Sequence, residues 1–114
     1  MIQLMRPYGD QADRKGKVIL VDRLWPRGIS KADLNIDLWM KDIAPSEGLR
    51  KWFSHETQKW DEFREKYFNE LDNNELTAKL LEICRSSDVT FLYSAREEKF
   101  NNAVALKLYV ESHL

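Results

Sequence analysis

The residues best suited to bind a ligand lie in one short segment, residues 22–28 (DRLWPRG), which directly follows the apolar run 18–21. Arginine offers a planar fork of donors that fits phosphate or carboxylate, and tryptophan offers a flat face for a base or a sugar. The proline and the glycine of the segment restrict its backbone and allow a tight turn. We therefore expect a stiff loop whose ligand-binding side chains are Arg23, Trp25 and Arg27.

Each of these residues also has an ordinary structural explanation. Arg23 can pair with an acid such as Asp22 or Asp37, because paired charges are often purely structural. Trp25 can belong to the core. Both alternatives stay open at the level of single residues, and the functional interpretation depends on the cluster.

Two further segments join this loop if the strands that precede them run parallel. The apolar runs 2–5 and 89–93 end just before polar residues, and open α/β sheets place their ligands at the carboxyl ends of the strands. The last helix is expected to begin near Asn101, where its free N–H groups favour an anion. The side chains expected at this edge, besides the loop, are Arg6, Tyr8, Ser94, Arg96 and Asn101.

Proton transfer near neutral pH has two candidate residues. His55 lies in a polar stretch between two predicted helices, and histidine is the side chain best suited to exchange a proton near neutrality. Asp22, at the start of the loop, is the second candidate. The competing interpretation is that His55 is a capping or solvated residue, since no partner for it can be identified from the sequence.

The apolar pattern predicts buried strands at both ends of the chain and helices between them. Strands are expected at 2–5, 18–21 and 89–93, and amphipathic helices at about 58–71, 75–85 and 101–112. Shorter helical turns are expected after Ser30, over 37–43 and after Ser46. This order favours a small α/β domain with a three-stranded, mainly parallel sheet flanked by helices. An α+β arrangement with an N-terminal hairpin is the alternative, because the first two strands are close in sequence.

Composition limits the classes of protein that fit. The 114 residues suit one domain, 1–114, and their net charge of −1 makes nucleic-acid binding unlikely, although residues 1–31 carry seven basic and three acidic residues. No apolar run is long enough to span a membrane and no secretory signal is evident, so a cytoplasmic location is expected. No metal or cofactor motif appears, the single cysteine Cys84 is expected to be buried, and neither a cofactor nor an oligomeric state is indicated.

The chain resembles the YeaO-like members of the domain-of-unknown-function family 488, which are small bacterial proteins without an established activity. The resemblance covers essentially the whole chain and rests on VILVDRLWPRG (18–28), on LWMKDIAPS (38–46), on LRKWFSH (49–55) and on LYSA (92–95). It implies an α/β fold but no reaction. The family pattern often has Asn-His at the start of the last helix, whereas this chain has Asn101-Asn102. If that histidine is catalytic elsewhere, this chain is impaired or uses His55; if it only caps the helix, asparagine replaces it.

Two functions from different classes follow. The first is a small-molecule enzyme or binding protein for an anionic ligand, a nucleotide or a phosphorylated metabolite. The second is a non-enzymatic interaction or regulatory module that binds protein or nucleic acid through the basic N-terminal third. A cleft with converging arginines favours the first, and an exposed Trp25 on a continuous basic surface favours the second.

Overall fold

A computed structural model describes residues 1–114 and contains a four-stranded parallel sheet with helices on both faces. The strand order is β1-β4-β2-β3, and every neighbouring pair is parallel. The strands are β1 (Ile2–Met5), β2 (Lys17–Leu20), β3 (Leu38–Trp39) and β4 (Val89–Leu92). The helices are α1 (Lys31–Leu34), α2 (Glu47–Phe53), α3 (Trp60–Asp72), α4 (Leu76–Ser86) and α5 (Asn102–His113). The predicted α/β class is confirmed, with one strand more than expected.

The alternative with an N-terminal hairpin is wrong, because β4 lies between β1 and β2. Residues 6–16 connect these two parallel strands without a helix. The connection is held on the sheet by side chains: the Lys15 N–H donates to Thr90 Oγ1 at 2.9 Å, and Arg14 Nη1 donates to the Leu34 carbonyl at 2.6 Å. This short connection crosses β4 to join β1 to β2. Its hydrogen bonds to the sheet replace the packing that a crossover helix usually supplies.

The helix expected over 37–43 is also wrong in part. Leu38 and Trp39 pair with β2, and only Lys41–Ile43 forms a single 3₁₀ turn. The Asp37 N–H donates to the Val18 carbonyl, and the Met40 N–H donates to the Leu20 carbonyl, both at 2.9 Å. The free edge of β2 thus supplies partners that outweigh a weak local helical preference. Trp39 lies at this edge of the sheet and is 36% exposed.

The two faces of the sheet are covered unequally. Alternate strand residues on one face, including Ile19 and Phe91, pack against α2, α3, α4 and α5 in a cluster of 20 buried residues. The other face carries a small cluster of four buried residues under α1 and the loop after β2. None of the helices is long and apolar enough to cross a membrane. The unequal cover leaves the carboxyl ends of the strands open between the loop after β2 and the amino end of α5.

Candidate functional site

A cleft of about 720 Å³ opens at the carboxyl ends of β1, β2 and β4. Volumes of this size are typical of sites for small molecules. The segments that follow the three strands all line it, as expected for parallel strands whose ends meet at one edge. All ten residues that the sequence analysis selected line the cleft, namely Arg6, Tyr8, Asp22, Arg23, Trp25, Arg27, His55, Ser94, Arg96 and Asn101.

The charges lining the cleft are strongly unequal. One carboxylate, that of Asp22, is present among them. The cationic side chains are Arg6, Arg23, Arg27, Arg50, Lys51 and Arg96. A concave wall with this imbalance concentrates positive potential and attracts anions, although the net charge of the whole chain is −1.

Arg6 and Arg23 are half-buried and anchored to backbone carbonyls. Arg6 Nη2 donates to the Ser94 carbonyl at 2.9 Å, and Arg23 Nη2 donates to the Ala44 carbonyl at 3.3 Å. Arg23 Nη1 also pairs at 3.4 Å with Asp42, a different acid from the two considered in the sequence analysis. Neither Nε has a partner, although both atoms are buried. The two guanidinium groups are therefore held in place while part of their donor capacity stays unused.

Four other cations lie nearer to solvent. Arg27, Arg50 and Arg96 are exposed and make no ion pair or side-chain hydrogen bond. Lys51 pairs with Glu47 one helical turn away, at 3.0 Å. Three of the four therefore make no close ion pair within the chain.

Asp22 joins three elements at the base of the cleft. Its Oδ2 accepts from the Ser94 N–H after β4 at 2.8 Å, and its Oδ1 accepts from Asn102 Nδ2 at the start of α5 at 3.0 Å. The Asn102 amide also donates to the Val21 carbonyl at 3.3 Å. Each carboxylate oxygen thus already accepts a hydrogen bond from the chain, which suits a positioning role.

Asn101 is occupied by helix capping. Its Oδ1 accepts from the Val104 N–H at 2.9 Å, its Nδ2 donates to the Glu97 carbonyl at 2.8 Å, and the residue is 2% exposed. The cap of α5 is therefore Asn101 and not residue 102, where the family pattern often has histidine. Position 102 instead contacts the carboxylate of Asp22.

Trp25 forms a wall of the cleft and is half-buried. Its Nε1 donates to the Ile29 carbonyl at 2.6 Å, and its ring meets the ring of Trp39 edge-on at 5.3 Å. It also packs against the small cluster on the second face of the sheet. Both the structural and the ligand-facing descriptions therefore apply to this residue.

His55 lies at the mouth of the cleft on a strained backbone. His55 and the preceding Ser54 both adopt left-handed conformations, with φ of 57° and 44°. Such conformations cost non-glycine residues roughly 1–2 kcal/mol each. The ring is exposed, lies 6.4 Å from the ring of Phe53, and has no hydrogen-bond partner to orient it.

The side chains form no metal site, and the single cysteine is buried. Nowhere do three His, Cys, Asp or Glu side chains approach closely enough to hold a metal ion. Cys84 lies in the core, 5% exposed, and burial raises the pKa of its thiol to about 11. The thiol is therefore protonated at neutral pH. Cys84 also does not line the cleft.

Sequence reasoning missed two cations of the cleft, Arg50 and Lys51. Both lie on α2, after the Ser46 cap, whose Oγ accepts from the Leu49 N–H at 3.2 Å. The neighbouring Trp52 and Phe53 identify the buried side of this helix, so the arginine and the lysine were predictable as exposed. These two side chains reach the cleft because of the way α2 packs on the sheet. That packing depends on distant parts of the chain and cannot be predicted from the sequence of the helix alone.

The fold and the cleft define the class: a small parallel α/β protein with a cation-lined site at the carboxyl end of its sheet. The chain belongs to the domain-of-unknown-function family 488, and the family model described as "Inactive DUF488-N3 subclade" matches residues 1–114. The expected family membership is thereby confirmed.

Several curated relatives cover nearly the whole chain. The uncharacterised protein YeaO of Escherichia coli K12 is 44% identical over 112 residues, which are 97% of each chain. The uncharacterised protein Rv3073c of Mycobacterium tuberculosis is 36% identical over 105 residues, which are 92% of this chain and 89% of the relative. No solved structure matches the chain.

Proposed function

We propose that this chain is a cytoplasmic binding protein for a small anionic ligand, a nucleotide or a phosphorylated metabolite, which it holds in the cleft. The observation that carries the proposal is the convergence of six cationic side chains around one cleft with a single carboxylate. Guanidinium groups bind phosphate through paired, charge-assisted hydrogen bonds, which are stronger than hydrogen bonds between neutral groups.

The cations divide into two sets with different roles in this proposal. Arg6 and Arg23 are anchored by backbone carbonyls, so they lose little side-chain entropy when a ligand binds. Arg27, Arg50 and Arg96 make no close ion pair within the chain and supply the charge that steers an anion into the cleft. The inner pair orients the ligand, and the outer three attract and retain it.

The surroundings of the two candidate proton-transfer residues, Asp22 and His55, favour binding over catalysis. Both oxygens of Asp22 accept hydrogen bonds from the chain, and His55 has no partner that would orient its ring. The description of the matched family model as an inactive subclade supports the same assignment. An enzyme that used His55 is the competing version of this function.

The proposal is tested by isothermal titration calorimetry with inorganic phosphate, ribose 5-phosphate and nucleoside monophosphates. We expect saturable binding to the parent protein and at least about a tenfold loss in the Arg27→Ala/Arg50→Ala double variant, since each charge-assisted hydrogen bond contributes about 1.5–3 kcal/mol. Lys79→Ala, which removes an exposed and unpaired cation on α4, is the matched control and is expected to bind like the parent.

Two results would contradict the proposal. Absence of binding for every anion, or an equal loss in Lys79→Ala, would remove the basis for a specific anion site. Chemical conversion of a bound anion that disappears in His55→Ala would replace the binding protein with an enzyme. The interaction-module hypothesis has weaker support, because Trp25 is half-buried and the cations surround a concave site.

A further inference from the structure

We infer that the ligand of the cleft is a free mononucleotide and that Tyr8 is the platform on which its base stacks. This inference rests on the proposed function and narrows it to one class of anion. It depends on the surroundings of Tyr8 and on the apolar side chains that line the cleft.

Tyr8 lines the cleft and is 43% exposed, so its aromatic ring is accessible from solvent. The Arg6 guanidinium carbon lies over the ring at 5.0 Å from the centroid. A base on the opposite face would complete a layered arrangement of base, phenol ring and guanidinium, and the same arginine would remain close to the phosphate.

The backbone around Tyr8 restricts its position. Pro7 precedes it and is buried, and Gly9 follows with φ of 94°, a conformation that favours glycine. Arg6 is in turn fixed to the Ser94 carbonyl. Pro7 and the anchored Arg6 therefore limit the positions that the Tyr8 ring can take.

Trp25 is less suited to this role than Tyr8. Its indole N–H already donates to the Ile29 carbonyl, and Trp39 packs edge-on against its ring. Much of its surface is taken by the small cluster on the second face of the sheet. Trp25 thus acts as a wall, whereas the exposed ring of Tyr8 is available for a base.

The remainder of the lining fits an aromatic group better than a bare sugar phosphate. Leu24, 66% exposed, stands at the cleft, and Phe53 and Phe63 form part of its apolar lining with ring centroids 4.3 Å apart. A base attached to the sugar phosphate would bury apolar surface against these side chains, which ribose 5-phosphate cannot do.

The inference is tested by titrating the four common nucleoside 5′-monophosphates and ribose 5-phosphate into the parent, Tyr8→Phe and Tyr8→Ala. We expect the parent to bind at least one mononucleotide about tenfold more tightly than ribose 5-phosphate. Tyr8→Ala is expected to weaken that mononucleotide about tenfold, in line with measured base–aromatic stacking, and ribose 5-phosphate less than about twofold. Tyr8→Phe should retain the parent affinity because it keeps the aromatic face. Leu108→Ala, which truncates an exposed apolar side chain outside the cleft, is the control for surface changes.

The possible failures are distinguishable. Equal affinity of the parent for ribose 5-phosphate and the mononucleotides would overturn the inference and leave the anion site intact. An equal loss for both ligand types in Tyr8→Ala would mean that Tyr8 acts only by supporting Arg6, which also overturns it. Tighter binding of a 5′-phosphorylated oligonucleotide than of any mononucleotide would replace the free ligand with a nucleic-acid end. If no anion binds, the proposed function itself fails.

Discussion

Replacing Asp22 with alanine tests whether one carboxylate joins the end of β2 to the end of β4 and the start of α5. The variant loses the bond from the Ser94 N–H at 2.8 Å and the bond from Asn102 Nδ2 at 3.0 Å. Hydrogen bonds to a charged group contribute about 1.5–3 kcal/mol each, but the Asn102 amide keeps the Val21 carbonyl as an acceptor. We therefore expect the free energy of unfolding to fall by about 2–4 kcal/mol.

Urea unfolding, followed by tryptophan fluorescence and by circular dichroism, measures this loss. The melting temperature is expected to fall by roughly 10 °C, from the size dependence of the unfolding entropy. Asp42→Ala is the matched control because its carboxylate pairs with Arg23 at 3.4 Å but is 66% exposed, and exposed pairs contribute about 0–1 kcal/mol. Asp22→Ala within about 0.5 kcal/mol of the parent, or no less stable than Asp42→Ala, would refute the joining role.

Three further predictions concern the backbone and the core. Gly16→Ala should prevent stable folding, because φ is 62° and the added Cβ would lie 1.9 Å from the Asp88 carbonyl oxygen. Gly28→Ala, at φ 77° but with open space around it, should lower the free energy of unfolding by only about 1–2 kcal/mol. Similar thermal stability of the two variants would contradict this prediction. Ser54→Gly should raise the free energy of unfolding by roughly 0.5–1 kcal/mol by relieving a left-handed helix cap, whereas an unchanged or lower melting temperature would count against strain at that position. Burial and the hydrogen bond to Asp72 raise the pKa of Tyr109 to about 12. Since the unfolded chain releases this proton at about pH 10, stability should fall as the pH rises from about 10 to 12, and Tyr109→Phe should show a shallower decline in urea titrations across that range.

Local sequence patterns accounted for most of the site. The apolar, mostly β-branched run 18–21 predicted a buried strand, and a buried strand in a small α/β domain sends the next loop to the sheet edge where ligands bind. The charged and aromatic residues of 22–28 were therefore recognisable as a candidate site without knowledge of any contact. Ser30, Ser46 and Asn101 marked helix starts because a side-chain oxygen can accept from an N–H three residues later, which is a purely local interaction.

Other features depended on partners distant in sequence. The strand at Leu38–Trp39 exists because the edge of β2 offers hydrogen bonds, and no pattern of two residues can indicate this. The pairing of Arg23 with Asp42 and the accessibility of Tyr8 likewise follow from how segments far apart in the chain approach each other.

The sequence by itself determined which residues carry charge, which turns are stiff and which runs are buried, because those properties belong to side chains and their immediate neighbours. Only the tertiary structure decided that β1 runs parallel to β4, that α2 brings Arg50 to the cleft, and that Asp22 is held between Ser94 and Asn102. The physical reason is that strand direction and helix placement are set by hydrogen bonds and packing summed over the whole chain, and a cleft is formed only when those long-range choices have been made.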